Sequence, residues 1–131
     1  MRSDLIRDGE RGSAVVEFAL LLPILLLMLL AVVQVGVLAR DQLILTQAAR
    51  AGARAASVEA GDDAARAAAL DAAVGLDPGR LTVTISRSGA QGDPVVVAVV
   101  YEAPVAGLIS GWLLPPEVTL RASSTMRQEF G

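Results

Sequence analysis

Residues 18–39 form a run of 22 residues in which Gln34 is the only polar side chain. A run of this kind admits few folds. As a helix it extends roughly 33 Å, against a bilayer hydrocarbon core of about 30 Å. A helix that is apolar all round must be enclosed, by lipid or by a large protein core. The chain has 131 residues in total, enough for one domain and hardly for two. A membrane-spanning helix is therefore the first reading. A cleaved export signal is the second, because Val37-Leu38-Ala39 has the small-residue character of a cleavage site, although secretory apolar regions usually run only about 7–15 residues. Pro23 lies inside the run, removes one backbone donor and frees the carbonyl of Ala19, which predicts a local kink.

Charge does not orient the segment. Arg2, Arg7 and Arg11 precede it, and Arg40, Arg50 and Arg54 follow it. Acidic residues count little in the positive-inside rule. The polar remainder of the chain lies mostly downstream, which favours a short cytoplasmic leader and an extracytoplasmic C-terminal part.

Helical character continues past Arg40. The stretch DQLILTQAARAGARAASVEA is rich in helix formers, lacks proline and contains a single interior glycine, Gly52. One helix over about residues 14–58 is expected. Gln47, Arg50 and Arg54 share a face at spacings of three and four, while Ala48, Ala51, Gly52 and Ala55 make a small-residue stripe suited to close approach of another element. Ala48, Arg50, Gly52 and Arg54 are the candidate helix-packing residues. Gly61 then interrupts the helix. Asp62 or Asp63 is expected to cap a short second helix that ends near Val74, and residues 75–79 (GLDPG) read as a turn.

Beyond residue 80 the period changes. Leu81, Val83 and Ile85 alternate with Thr82, Thr84 and Ser86, as in a half-buried strand. Residues 95–101 are apolar at every position and mostly β-branched, which predicts a central strand covered on both faces. Val118, Leu120 and Ala122 alternate with Thr119, Arg121 and Ser123 in a third strand. The connections are short, so the expected fold is α+β: a long N-terminal transmembrane helix continuing into a domain with a short helix and a small antiparallel three-stranded sheet.

Between the second and third strands, residues 104–116 read PVAGLISGWLLPP, apolar, holding the chain's single Trp, and too short to cross a bilayer. The stretch suits either a plug of the domain core or a contact surface. In the second case Leu108, Ile109, Trp112 and Leu113 would meet a partner or the membrane interface, where Trp is favoured.

Nothing in the sequence points to catalysis. The chain contains no Cys and no His, and all eleven basic residues are Arg. The usual general base, thiolate nucleophile and soft metal ligands are thus missing, as is the lysine that a serine nucleophile would otherwise need. No Gly-rich phosphate loop or spaced ligand cluster occurs. No catalytic residue, metal site or cofactor is expected, and the protein is not expected to be an enzyme. A net charge of −3 gives no reason to expect nucleic acid as a partner.

The residues that open the apolar run, Gly12 followed by Ser13-Ala14-Val15-Val16-Glu17-Phe18, resemble the processing motif of type IV pilin-like proteins, in which a prepilin peptidase cuts after a glycine and the fifth mature residue is Glu. The chain as a whole resembles the TadE-like family, minor pseudopilins of tight-adherence (Flp-type) pilus systems. RGSAVVEFALLLPILLLMLL is similar to that family's N-terminus, AARAGARAAS (residues 48–57) to its AAR-x-GAR-x-A signature, and VTLRASSTMRQE (residues 118–129) to its last strand. Its leader carries as many acidic residues (Asp4, Asp8, Glu10) as basic ones, where prepilin leaders are usually net basic. The resemblance implies cleavage between Gly12 and Ser13, and a role for Glu17 and Phe18 in assembly. It implies three regions: a leader at 1–12, a transmembrane and extended helix at 13–60, and an exported pseudopilin domain at 61–131. It further implies single-pass residence in the cytoplasmic membrane with the N-terminus in the cytoplasm. The implied partners are the prepilin peptidase, other pilin and pseudopilin subunits, the inner-membrane assembly platform and membrane lipid. The residues alone leave room for another class of protein, a signal-anchored extracytoplasmic binding module unrelated to pili.

Overall fold

The computed structural model describes residues 2–129, with side chains described from Gly12 to Glu129. In chain order the elements are helix α1 (Arg2–Val58), helix α2 (Asp62–Ala72), a single 3-10 turn (Pro78–Arg80), and strands β1 (Leu81–Arg87), β2 (Pro94–Pro104) and β3 (Glu117–Arg127). The chain divides into two units, Met1–Val35 and Gly36–Gly131, and each has its own physics.

The first unit is helix alone. Helix α1 begins at Arg2 rather than near residue 14, so the backbone of the expected leader is continuous with the apolar run. The physical reason is that no proline precedes Pro23, and isolated glycines cost a helix only about 1 kcal/mol each. The side chains of residues 1–11 lie outside the described residues. From Val15 to Val35 most large apolar side chains are exposed, Leu20 at 69% and Met28 at 62% among them. By length and composition this helix can cross a membrane. Pro23 falls inside α1, which runs on through it.

The second unit is a three-stranded antiparallel sheet in the order β1-β2-β3, covered on one face by the last part of α1 and by α2. Register pairs Val83 with Val99 and Val99 with Ala122, so these residues share the covered face. On that face Val95, Val97, Val99, Tyr101 and Ala103 of β2 are buried. They meet Leu45, Ala48, Ala49, Ala53 and Ala56 of α1 and Ala65 and Ala69 of α2 in one core. The expectation that β2 is covered on both faces fails. Its burial alternates, with Val96, Ala98, Val100 and Glu102 only half-buried, because no element packs on the outer face. The side chains of the flanking strands supply what cover there is.

The core is built mostly of alanine and valine, so it depends on closeness rather than on bulk. Gly52 marks a tight point. A Cβ added there would lie 3.0 Å from Val97 Cγ1, 3.1 Å from Ala69 Cβ and 3.2 Å from the Ala65 carbonyl oxygen, so α1, α2 and β2 converge on one hydrogen atom's worth of space.

The expected cap of α2 takes another form. Its N-cap is Gly61, without a side-chain hydrogen bond, and Asp62 and Asp63 occupy the first turn. There they still face the positive end of the helix, but the Asp62 carboxylate accepts from Arg87 Nε at 2.8 Å. The same guanidinium donates to the carbonyl of Ala56 at 2.8 Å and to that of Gly61 at 3.4 Å. Arg87, at the end of β1, therefore clasps the break between the two helices. Arg66 Nη1 donates to the Val83 carbonyl at 3.2 Å and fixes α2 to the middle of β1. Helix α2 ends at Ala72, slightly before the expected Val74. Gly75 then takes φ +84° beside the Arg40 guanidinium, a left-handed conformation that a Cβ would strain.

Candidate functional site

Three groups of sequence-predicted residues have defined places. The first stands at the head of the apolar run. Gly12 is helical and open, and a Cβ added there would meet nothing within 4 Å. Ser13 Oγ donates one turn ahead to Glu17 Oε1 at 3.4 Å, so hydroxyl and carboxylate share a face. Phe18 is 60% exposed. No cation among the described residues is paired with Glu17. Within the intact helix the carboxylate also lacks the help of a helix N-terminus, because α1 begins 15 residues earlier, at Arg2.

The second group is the stripe on α1. Ala48 and Gly52 are buried at the contact with β2 and α2, as the small-residue pattern predicts. Arg50 and Arg54 are exposed and take no part in it. Ala51 and Ala55 sit only half-buried, and the fully buried line runs through Leu45, Ala49, Ala53 and Ala56 instead. Residues 49, 53 and 56 were legible as alanines on a helical spacing, but Ala is so frequent here that the pattern does not point to one azimuth.

The third group is the loop of residues 105–116, which the structure divides in two. Val105 (8% exposed) and Ile109 (1%) face inward, whereas Leu108 (80%), Trp112 (71%) and Leu113 (58%) face outward. Ile109 is thus an anchor and the other three form a surface. The loop holds itself together: Val105 N donates to the Pro116 carbonyl at 3.0 Å, Ile109 N to that of Ala106 at 3.0 Å, and Gly111 N to that of Leu114 at 2.7 Å. Gly111 takes φ +82° to make the reversal.

No group of three or more potential metal-ligating side chains occurs among the described residues. Two shallow depressions lie on the sheet. One is lined by Gly92, Pro94, Thr125, Met126 and Arg127, and the other by Ala98, Val99, Val100, Arg121, Ala122 and Ser123. Neither lining contains a carboxylate.

A protein-family model described as TadE-like protein matches residues 12–54. The match lies wholly within helix α1. The TadE-like segment takes in Gly12, Ser13, Glu17 and Phe18, the whole apolar run, and the Ala48–Arg54 part of the small-residue stripe. It stops short of the sheet, so the likeness at residues 118–129 lies outside the match. Comparison with curated proteins and with solved structures gave no significant match.

Proposed function

We propose that this chain is a membrane-anchored minor pseudopilin that serves the assembly of a tight-adherence (Flp-type) pilus. One observation carries the reading: the TadE-like match begins at Gly12, just ahead of an apolar run whose side chains are exposed, and Glu17 is the single acid between Gly12 and Arg40. In this reading a prepilin peptidase cuts between Gly12 and Ser13. The leader faces the cytoplasm, residues 18–39 cross the cytoplasmic membrane once, and the α+β unit is extracytoplasmic. Pilin and pseudopilin subunits and the inner-membrane assembly platform are the partners, and the protein has no enzymatic activity of its own.

The chemistry of Glu17 supports this. An unpaired carboxylate carried toward the bilayer centre costs about 2.5–3.5 kcal/mol on insertion scales. Cleavage at Ser13 would change its surroundings in two ways. It would create a helix N-terminus one turn away, where an acid gains roughly 0.3–1 kcal/mol. It would also create an ammonium at Ser13, whose side chain already lies beside the Glu17 carboxylate. The same ammonium on a neighbouring subunit is the partner that would join two chains.

Co-expression with a prepilin peptidase, followed by intact-mass measurement, tests the reading. A chain beginning at Ser13 is expected. An unshortened chain that still fractionates with membranes would instead favour a signal-anchored binding module.

A further inference from the structure

We propose that the loop of residues 105–116 is a lipid contact: Leu108, Trp112 and Leu113 insert into the interface of the same membrane that the apolar run of α1 crosses. The inference rests on that helix spanning a membrane, and not on any role in pili.

Placement within the second unit is the first argument. Gln42 Nε2 of α1 donates to the Arg121 carbonyl of β3 at 2.8 Å, and Glu129 N donates to the Ser57 carbonyl at 2.8 Å. From residue 42 to 57 a helix rises about 22 Å, and from 121 to 129 a strand advances about 26 Å. The two elements therefore run side by side in the same direction. Glu117, where β3 begins, lies roughly 13 Å back from Arg121, toward Gly36. The loop closes the sheet at that end, and Gly36 is where the chain enters the unit from its apolar run.

Chemistry is the second argument. No charged residue occurs between Val105 and Pro116, and the only polar side chain, Ser110, donates back to the Gly107 carbonyl within the loop. Six backbone N–H groups of the loop donate to carbonyls of the loop. These are six of the ten backbone N–H groups between Val105 and Pro116, so most of the loop's donors can leave water without losing a hydrogen bond, which lipid favours. The exposed tip offers two leucines and a Trp, whose indole N–H is its single side-chain donor, an apolar body with one polar handle of the kind that sits at a membrane boundary. Leu flanking Trp suits the headgroup boundary, where Trp concentrates.

Trp112 is the chain's single Trp, so its fluorescence reports on this loop alone. The full chain is reconstituted into phosphatidylcholine–phosphatidylglycerol vesicles, with and without dibrominated phosphatidylcholine, and checked by flotation. Roughly a twofold loss of Trp112 emission to brominated lipid is expected, with little quenching by aqueous iodide. A Leu108→Ser/Leu113→Ser variant, altered only at exposed positions, should keep its circular dichroism spectrum and lose most of the lipid quenching. Flotation with Trp112 open to iodide and untouched by brominated lipid overturns the proposal alone. Failure to float overturns the membrane span and the proposal with it. A variant quenched by lipid as strongly as the parent shows that the leucines do not hold the loop in the interface, and also overturns it.

Discussion

Replacing Gly52 by alanine adds one methyl group at the point where α1, α2 and β2 meet. In an open helix the change gains about 0.8–1 kcal/mol of helix propensity. Here the new carbon would sit 3.0 Å from Val97 Cγ1, 3.1 Å from Ala69 Cβ and 3.2 Å from the Ala65 carbonyl oxygen. Carbon–carbon contacts are optimal at about 3.5–4.0 Å, so each carbon neighbour must retreat by roughly half an ångström. Val97 can turn its side chain, but Ala65 offers its backbone and Ala69 has no rotamer to change. Overpacking of this kind costs typically about 1–3 kcal/mol. The net expectation is a loss of roughly 0–2 kcal/mol for Gly52→Ala, and more for Gly52→Val, whose branches add bulk and return part of the propensity gain. For a unit of this size each kcal/mol moves Tm by about 4–8 °C. The comparison is Gly36→Ala, in the same helix with nothing within 4 Å of the new Cβ. Thermal unfolding of the full chain in detergent, followed by near-ultraviolet circular dichroism, should rank stability as Gly36→Ala above Gly52→Ala above Gly52→Val. If Gly52→Ala stabilises as much as Gly36→Ala, the three-way contact does not exist as described.

Three further outcomes are open to measurement. Arg87→Met removes charge-assisted bonds to Asp62 and to the Ala56 carbonyl and should cost about 1–3 kcal/mol by denaturant titration; Arg87→Lys should recover only part, since a point charge cannot reach several acceptors at once. Ile109→Ala should lose about 2–5 kcal/mol as a buried truncation while Leu108→Ala leaves unfolding nearly unchanged, and equal losses would show that the loop is not divided into an anchor and a surface. Glu17→Gln keeps the shape of the side chain without its charge, and is expected to reach the membrane at normal levels yet fail to support piliation in a host whose own copy is deleted; normal pili would refute the pairing of Glu17 with an amine.

The elements were largely readable because each carries its own period. The alternation of Leu81, Val83 and Ile85 became β1, and Gly61 became the break after α1. What lay beyond the sequence was azimuth and long-range pairing. An alanine stripe is nearly as small on one side as on the next, so the buried line through Ala49, Ala53 and Ala56 could not be told from one through Ala51 and Ala55. Arg87 looked like a solvent-facing strand end, because the groups it binds lie 25 to 31 residues away. The apolar loop could be found but not divided, since Leu108, Ile109, Trp112 and Leu113 are alike in being large and apolar and only the folded loop turns Ile109 inward. At Glu17 the local chemistry was legible, while its proposed partner, an amine at Ser13, would exist only if the proposed cleavage takes place.

The central strand has a consequence for how the polypeptide reaches its native state. Residues 95–101 are an uninterrupted apolar, mostly β-branched run, the composition of a segment that stacks with its own copies when left uncovered. Its neighbour β1 is joined to it by a short connection, residues 88–93, so that pairing is quick to organise, but the face bearing Val95, Val97 and Val99 is protected only by helix. That helix lies earlier in the chain. During synthesis the alanine face of residues 45–56 therefore exists before β2 emerges, and it can receive the strand as soon as the hairpin forms. Arg87, Asp93, Glu102 and Arg127, at or near the strand ends, act as charged gatekeepers against stacking in the interval. A circularly permuted chain that placed the sheet before the helix would keep every native contact, yet should aggregate more readily on refolding.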